Sequence, residues 1–265
     1  VGWVYSTSFS RAGKYFNPSL GFMQRDDFYS WEHIFGYGWL SGENSFIQSH
    51  GINWKGSWFR NNEIGETDSY SGGPEWRFAA KKGYSGSISL EYNFENPQES
   101  FNISDNIIIQ PGKYGFYNAS LDFISSFNKP FYAQYNLQYG SFYDGSKISF
   151  AFNPNWTASS HLELSANYIL NHISLPGITE TLHIARVKGQ YMFNTKVSVS
   201  SFIQYNSLDK AFVMNIRMRY NPQEGNDLYL VYNDYINTSR LVNDRKAPLS
   251  NQRSILLKYT YTFRT

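Results

Sequence analysis

The sequence predicts an all-β fold: an antiparallel transmembrane outer-membrane β-barrel with about 14–16 strands. Three observations carry that prediction. The first is alternation. Between Lys210 and Tyr220, Phe212, Met214, Ile216, Met218 and Tyr220 fall on one side, while Ala211, Val213, Asn215, Arg217 and Arg219 fall on the other. This is the two-residue period of a strand with one oily and one wet, cationic face. The second is length. The alternating runs extend to about ten residues, enough to cross a bilayer at a tilt, whereas strands in soluble sheets average about five or six. The third is composition. Aromatic residues make up 19% of a chain that is only 41% hydrophobic, with mean hydropathy −0.49. A barrel touches lipid with alternate residues only, so its average looks soluble, and Tyr and Trp favour the membrane boundary.

Residues 1–10 form the first expected strand, with Trp3, Tyr5 and Phe9 in one frame. Strands over 27–39, 46–59 and 74–81 follow. In 84–95, Tyr84, Gly86, Ile88, Leu90, Tyr92 and Phe94 oppose Ser85, Ser87, Ser89, Glu91, Asn93 and Glu95. Further strands are expected over 101–109, 114–125, 131–142, 146–153, 160–170, 181–193, 196–206, 211–220, 226–236 and 252–264. In the last, Ile255, Leu257, Tyr259, Tyr261 and Phe263 oppose Ser254, Lys258, Thr260, Thr262 and Arg264. Turn residues at Asn96-Pro97, Gln110-Pro111-Gly112, Asp144-Gly145, Asn153-Pro154, Pro176-Gly177 and Asn221-Pro222-Gln223-Glu224-Gly225 separate them. No helix period, low-complexity tract or linker interrupts the pattern, so 1–265 reads as one barrel domain.

This list has an odd number of strands, whereas single-chain bacterial barrels have even numbers. Either one assignment is wrong or strands precede Val1. The second explanation is preferred here, making the chain the C-terminal portion of a larger barrel. The closing Tyr259-x-Tyr261-x-Phe263 is similar to the last-strand signal read by barrel assembly machinery, which places the C-terminus in the periplasm. Counting back puts 237–251 and 171–180 outside and the turns near 221–225 and 193–196 inside. The same count leaves 11–26 and 60–73 on the periplasmic side, against the long-outside rule.

Several classes are excluded or disfavoured. With no cysteine, disulfides, thiolate metal sites and cysteine nucleophiles are all removed. A net charge of +2 with 17% charged residues gives no case for nucleic acid. No apolar run approaches the length of a transmembrane helix. No cofactor or metal is expected.

The chain also resembles a family of bacterial outer-membrane proteins of undefined activity, in which a periplasmic domain like carbohydrate-binding module family 9 precedes a large C-terminal barrel. The matching residues are Asn17-Pro18-x-Leu20-Gly21-Phe22-x-x-Arg25-x-Asp27, Gly140-x-Phe142-Tyr143-Asp144-Gly145, Leu175-Pro176-Gly177 and Gln204-Tyr205-Asn206. They continue with Asn215-x-Arg217-x-Arg219-Tyr220-Asn221-Pro222 and Gly225-x-Asp227-Leu228-Tyr229-Leu230-Val231-Tyr232-Asn233. Neither the module nor the Pro- and Phe-rich opening of such barrels is present in these residues. The resemblance implies location and architecture, and a link to saccharides through the N-terminal domain.

In the frame that turns Val187, Tyr191, Val197, Val199, Ile203, Ile216 and Met218 to lipid, Arg186, Lys188, Gln190, Gln204, Asn215, Arg217, Arg219, Lys258 and Arg264 point inward. Arg or Lys on the lipid face costs roughly 2–4 kcal/mol at the midplane, which forces them toward the lumen. Two roles are open: an anion-selecting wall, or structural pairing with Glu91, Glu95, Glu163 and Asp227. His172 and Ser174 share a strand face, as a His-assisted serine nucleophile requires, and resemble the outer-membrane phospholipase pair. However, Leu175-Pro176-Gly177 replaces that family's polar residues. His33, His50, His161 and His183 lie in separate strands and are expected at rims or in the lumen.

The function expected is a non-enzymatic transport conduit or membrane anchor. The alternative is a structural subunit of a larger complex with a plugged lumen, and an outer-membrane hydrolase is a distant third. Expected partners are outer-membrane lipid and lipopolysaccharide, the barrel assembly machinery, and other outer-membrane protein subunits.

Overall fold

The computed structural model describes residues 1–16, 25, 27–242 and 245–263. Among the described residues there are strands and turns and no helix. The elements are β1 (Gly2–Ala12), β2 (Phe28–Leu40), β3 (Ile47–Asn61), β4 (Thr67–Ala80), β5 (Ser85–Glu95), β6 (Phe101–Asn102), β7 (Ile108–Ile109), β8 (Tyr114–Ile124) and β9 (Phe131–Phe142). They continue with β10 (Gly145–Thr157), β11 (Leu162–Leu175), β12 (Ile178–Met192), β13 (Val197–Asn206), β14 (Ala211–Gln223), β15 (Asn226–Asn237), β16 (Leu241–Val242), β17 (Arg245–Lys246) and β18 (Ser250–Thr260). One antiparallel sheet of 14 strands pairs them in the order β1-β2-β3-β4-β5-β8-β9-β10-β11-β12-β13-β14-β15-β18. Two small ladders, β6–β7 and β16–β17, stand apart from it.

The strand expected over 101–109 is not part of that sheet. Its apolar residues are split by Ser104-Asp105-Asn106. The Ser104 hydroxyl accepts hydrogen bonds from the backbone N–H of Asn106 at 3.2 Å and of Ile107 at 3.1 Å. The Ile103 N–H donates to the Ile107 carbonyl at 2.9 Å. Local bonds of this kind compete with a ladder and close a tight turn. The segment therefore doubles back, with Phe101 opposite Ile109 and Asn102 opposite Ile108.

Two expected connections also shrink. In place of a loop over 60–73, β4 begins at Thr67 and runs through Gly72, Gly73 and Pro74. Pro74 has no N–H to donate, and the β4–β5 ladder skips from Gly72 opposite Tyr92 to Glu75 opposite Ser89 without a change of register. In place of a loop over 171–180, β11 and β12 meet at Pro176-Gly177. Gly177 has φ +79°, as a type II turn demands at its third residue, with Pro favoured at its second. Gly177→Ala is expected to lose about 1–2 kcal/mol from the left-handed backbone, measured as a lower urea midpoint of refolding with an unchanged slope. Unaltered stability would remove the strained turn from the argument.

The chain divides into two compact units, one of Val1–Ser125, Asn136–Ser149 and His172–Glu180, the other of Ser126–Tyr135, Phe150–Asn171 and Thr181–Thr265. In the first, the β1–β2, β3–β4 and β5–β8 connections share one end with the hairpin tips at 143–144 and 176–177, and the turns 41–46 and 81–84 lie at the other. In the second, 207–210 and 238–249 lie at one end, and 158–161, 193–196 and 224–225 at the other. Polar side chains close several turns. Asn61 Oδ1 accepts from the N–H of Glu63 and Ile64, Ser159 Oγ from His161 and Leu162, and Asn194 Oδ1 from Lys196 and Val197.

Burial is inverted relative to a water-soluble sheet. In the first unit, directly paired residues share a face. One face collects Trp3, Tyr5 and Phe9 with Trp31, Phe35, Tyr37 and Trp39, then Ile52, Trp54 and Trp58, Trp76 and Phe78, Ile88 and Leu90. Most of these residues are exposed, Trp3 by 72%, Leu90 by 59% and Phe35 by 50%, while Tyr37, Trp58, Trp76 and Phe78 are half-buried. The opposite face carries Ser8, Glu32, Ser57, Ser71 and Asn93 in one ladder row. Its polar residues Asn53 and Ser69 are only 2% and 6% exposed. Ile107 is the largest fully buried side chain among the described residues, and it belongs to the loop between β5 and β8.

Candidate functional site

In the second unit, the register from β12 to β18 sorts the sequence-predicted residues. Arg186 stands opposite Gln204, Gln190 opposite Ser200, and Lys188 opposite Phe202, which is itself opposite Asn215. Arg217 stands opposite Ser200, and Arg219 opposite Ser198. Arg219 and Lys258 flank Tyr229 in a single row. Arg186, Lys188, Gln190, Gln204, Asn215, Arg217, Arg219 and Lys258 therefore lie on one face, and Val187, Tyr191, Val199, Ile203, Ile216 and Met218 on the other. Arg264 lies outside the described residues.

The polar face is stitched together mainly by amides. Arg186 Nε donates to Gln204 Oε1 at 2.9 Å, and its Nη1 to Asn167 Oδ1 at 3.3 Å. Asn215 donates to Asn233 at 2.5 Å, which donates to Ser254 at 3.2 Å. Only Arg219 of the five cations meets a carboxylate among the described residues, with its Nε 2.6 Å from Asp227 Oδ1, and Asn221 adds a 3.0 Å bond to the same oxygen. Lys188, Arg217 and Lys258 are exposed and form no ion pair among the described residues. Of the carboxylates weighed as partners, Glu95 pairs instead with Arg25 at 3.6 Å. This face thus carries a set of guanidinium and ammonium groups, with Arg217 and Arg219 opposite the small residues Ser200 and Ser198, and most of its charge is uncompensated among the described residues.

The polar face of the first unit is balanced. Lys55 Nζ lies 2.6 Å from Glu75 Oε1, and Asn53 Nδ2 donates to Glu75 Oε2 at 3.1 Å. Toward the loop end an aromatic cluster closes in. Tyr143 packs against Tyr114 at 4.9 Å, Phe116 at 5.5 Å and Phe142 at 4.8 Å between ring centres, with Phe101 of the folded-back loop at 6.1 Å. Ser104 of that loop hydrogen-bonds Glu180. Burial, reinforced by Glu95, pushes the Tyr143 phenol up to about 12.

Sequence reasoning missed a polar network on the apolar face of the second unit. Asp234 stands in the frame of Leu230 and Tyr232, and Arg253 opposite it in the frame of Ile255 and Leu257. The Asp234 carboxylate accepts from Tyr232 Oη at 2.7 Å, from Ser250 Oγ, and from Arg253 Nε at 2.9 Å, with Arg253 Nη2 at 2.8 Å. The signal was present: two opposite charges each break an oily frame in consecutive sheet strands.

The histidines do not converge. His33 and His50 lie on the aromatic face, 5.2 Å from Trp31 and 5.3 Å from Trp39 between ring centres. His33 stands mid-strand in β2, opposite Gly56. His161 Nδ1 is 2.8 Å from the Met192 carbonyl, and His183 Nδ1 2.8 Å from Tyr168 Oη. Ser174 Oγ lies 3.3 Å from Thr179 Oγ1 across the hairpin tip. No cluster of three or more His, Cys, Asp or Glu among the described residues could hold a metal ion, and no described helix is long and apolar enough to cross a membrane. The motif residues 17–22 lie outside the described residues. No protein-family model matches the chain, and no characterised protein matches it in sequence.

Proposed function

We propose that the chain forms a β-barrel wall in a bacterial outer membrane and serves as a conduit whose cationic side favours anions. The observation that carries this reading is the inverted burial. A sheet that exposes Trp3, Phe35 and Leu90 while sheltering Asn53 and Ser69 is suited to a solvent of hydrocarbon on one face and water on the other. Connection length adds support. Within the first unit the long β1–β2 and β5–β8 connections share one end, opposite the turns 41–46 and 81–84, and within the second the long connection 238–249 lies opposite the short turns 158–161, 193–196 and 224–225, an asymmetry the long-outside rule expects.

The lumen reading rests on Lys188, Arg217 and Lys258, whose charges no carboxylate neutralises among the described residues. Reversal potential in a salt gradient tests it. The double substitution Lys188→Gln with Arg217→Gln is expected to cut anion preference. Arg219→Gln should change it much less, because Asp227 already offsets that charge. The preference should also fall as ionic strength shortens the screening length from about 8 Å toward 3 Å. Equal selectivity in all forms would end the lumen assignment.

A second reading, a plugged structural subunit, is favoured by the cluster of Tyr114, Phe116, Phe142 and Tyr143 beneath the folded-back loop. Phe116 lies on the polar side of β8, opposite Asn93. Absence of conductance in vesicles that hold folded protein would select that reading over the conduit.

A further inference from the structure

The aromatic face of the first unit ends at the loop side in two successive rows. The inner row is Phe9–Trp31–Trp58–Tyr70, and the outer row is Arg11–Tyr29–Arg60. A cation immediately beyond an aromatic girdle sits where lipid headgroups begin. Arg11 and Arg60 are exposed and stand two strands apart, about 10 Å. Both are oriented. Arg11 lies 4.9 Å over the Tyr29 ring, and Arg60 Nε donates to the Gly65 carbonyl at 2.8 Å. Neither forms an ion pair among the described residues. The nearby acids are otherwise engaged, since Glu63 pairs with Lys14 at 2.7 Å and Asp27 accepts from Asn62 at 3.0 Å. On the same face a groove of about 290 Å³ opens among Trp3, Phe35, Tyr37, Ile52, Trp54 and Pro74. It begins six residues from Arg60, about 20 Å of strand. Charge and apolar surface are therefore arranged head-to-tail on one face.

We propose that Arg11 and Arg60 bind the phosphate of an anionic lipid headgroup in the leaflet on the loop side, with an acyl chain running down the aromatic face to the groove. Arg suits this role because its planar fork bonds two phosphate oxygens at once, and Tyr29 holds the Arg11 plane in place. The inference rests on the membrane reading above, so the test separates the two.

Wild type and the Arg11→Gln/Arg60→Gln variant are folded into vesicles of phosphatidylcholine alone and of phosphatidylcholine with lipid A. Protease protection in phosphatidylcholine alone reports insertion. Lipid A retained after detergent extraction and purification reports the site. Both forms are expected to insert equally in phosphatidylcholine. The wild type should retain lipid A, and the variant on the order of tenfold less, with retention by the wild type falling in high salt. Three results overturn the proposal while leaving the membrane reading standing: equal retention by both forms, equal retention of dephosphorylated lipid A by the wild type, or complete displacement by inorganic phosphate at matched phosphate concentration. Failure of the wild type to insert in phosphatidylcholine removes the membrane reading and this site with it.

Discussion

Leu90→Arg is expected to cost about 2–4 kcal/mol in folding into lipid vesicles, whereas Ser89→Arg, one residue away, should be tolerated. Leu90 lies mid-strand in β5, opposite Ala119 and on the aromatic face, while Ser89 lies opposite Ser120 on the polar face. The contrast discriminates because Leu90 is 59% exposed. In water, a charge replacing a leucine so exposed would change stability by roughly 0.5 kcal/mol or less. In hydrocarbon it must be dragged to an interface or left unsolvated. The urea-dependent fraction folded, read from the heat-sensitive shift in electrophoretic mobility, measures both variants. Equal tolerance of the two substitutions would place the aromatic face in water or against protein.

Asp234→Ala should destabilise the last hairpin and lower its urea midpoint, because it leaves the Arg253 guanidinium, whose side chain is 55% exposed, without its carboxylate partner on the apolar face. The Asp234 side chain itself is 1% exposed and receives bonds from Tyr232, Ser250 and Arg253. Its loss takes this partner from the Arg253 guanidinium and from the Tyr232 and Ser250 hydroxyls on the oily side of β15 and β18, beside the register shift between Tyr235 and Ile236. Arg253→Met in the same background should recover much of the loss, since no unpaired charge then remains. The urea midpoint reports the effect in both the single and the double variant. A double variant no better than Asp234→Ala would assign the network no role in fastening β18.

The period of two was legible wherever an oily frame faced a polar one without interruption. In β5, β14 and β18, the alternation alone set which residues share a face, and so it put Arg217 with Arg219 in β14, and Lys258 with Ser254 in β18, before any register was known. It failed where turn chemistry hid inside an alternating run. Phe101, Ile103, Ile107 and Ile109 look like strand residues, and only the side chain of Ser104 decides otherwise. It failed in the opposite sense at Gly72-Gly73-Pro74, where residues that usually break strands sit in mid-β4 because the neighbouring pairs carry the ladder past them. The Asp234–Arg253 pair was hidden for a third reason: cross-strand partners 19 residues apart become visible only once the hairpin register is fixed. Arg11 and Arg60 likewise acquire meaning from being in one row, which no reading of a single strand supplies.

Of the 7 tryptophans, Trp3, Trp31, Trp39, Trp54, Trp58 and Trp76 all stand on the aromatic face of β1 to β4, and only Trp156 lies elsewhere, in β10. Intrinsic fluorescence is therefore a local gauge. A blue shift or quenching by brominated acyl chains would report the surroundings of the first four strands and stay nearly silent while β12 to β18 form or fray. An optical experiment on the last hairpin needs an indole placed there, for which Tyr259, already exposed in the oily frame, is a natural position.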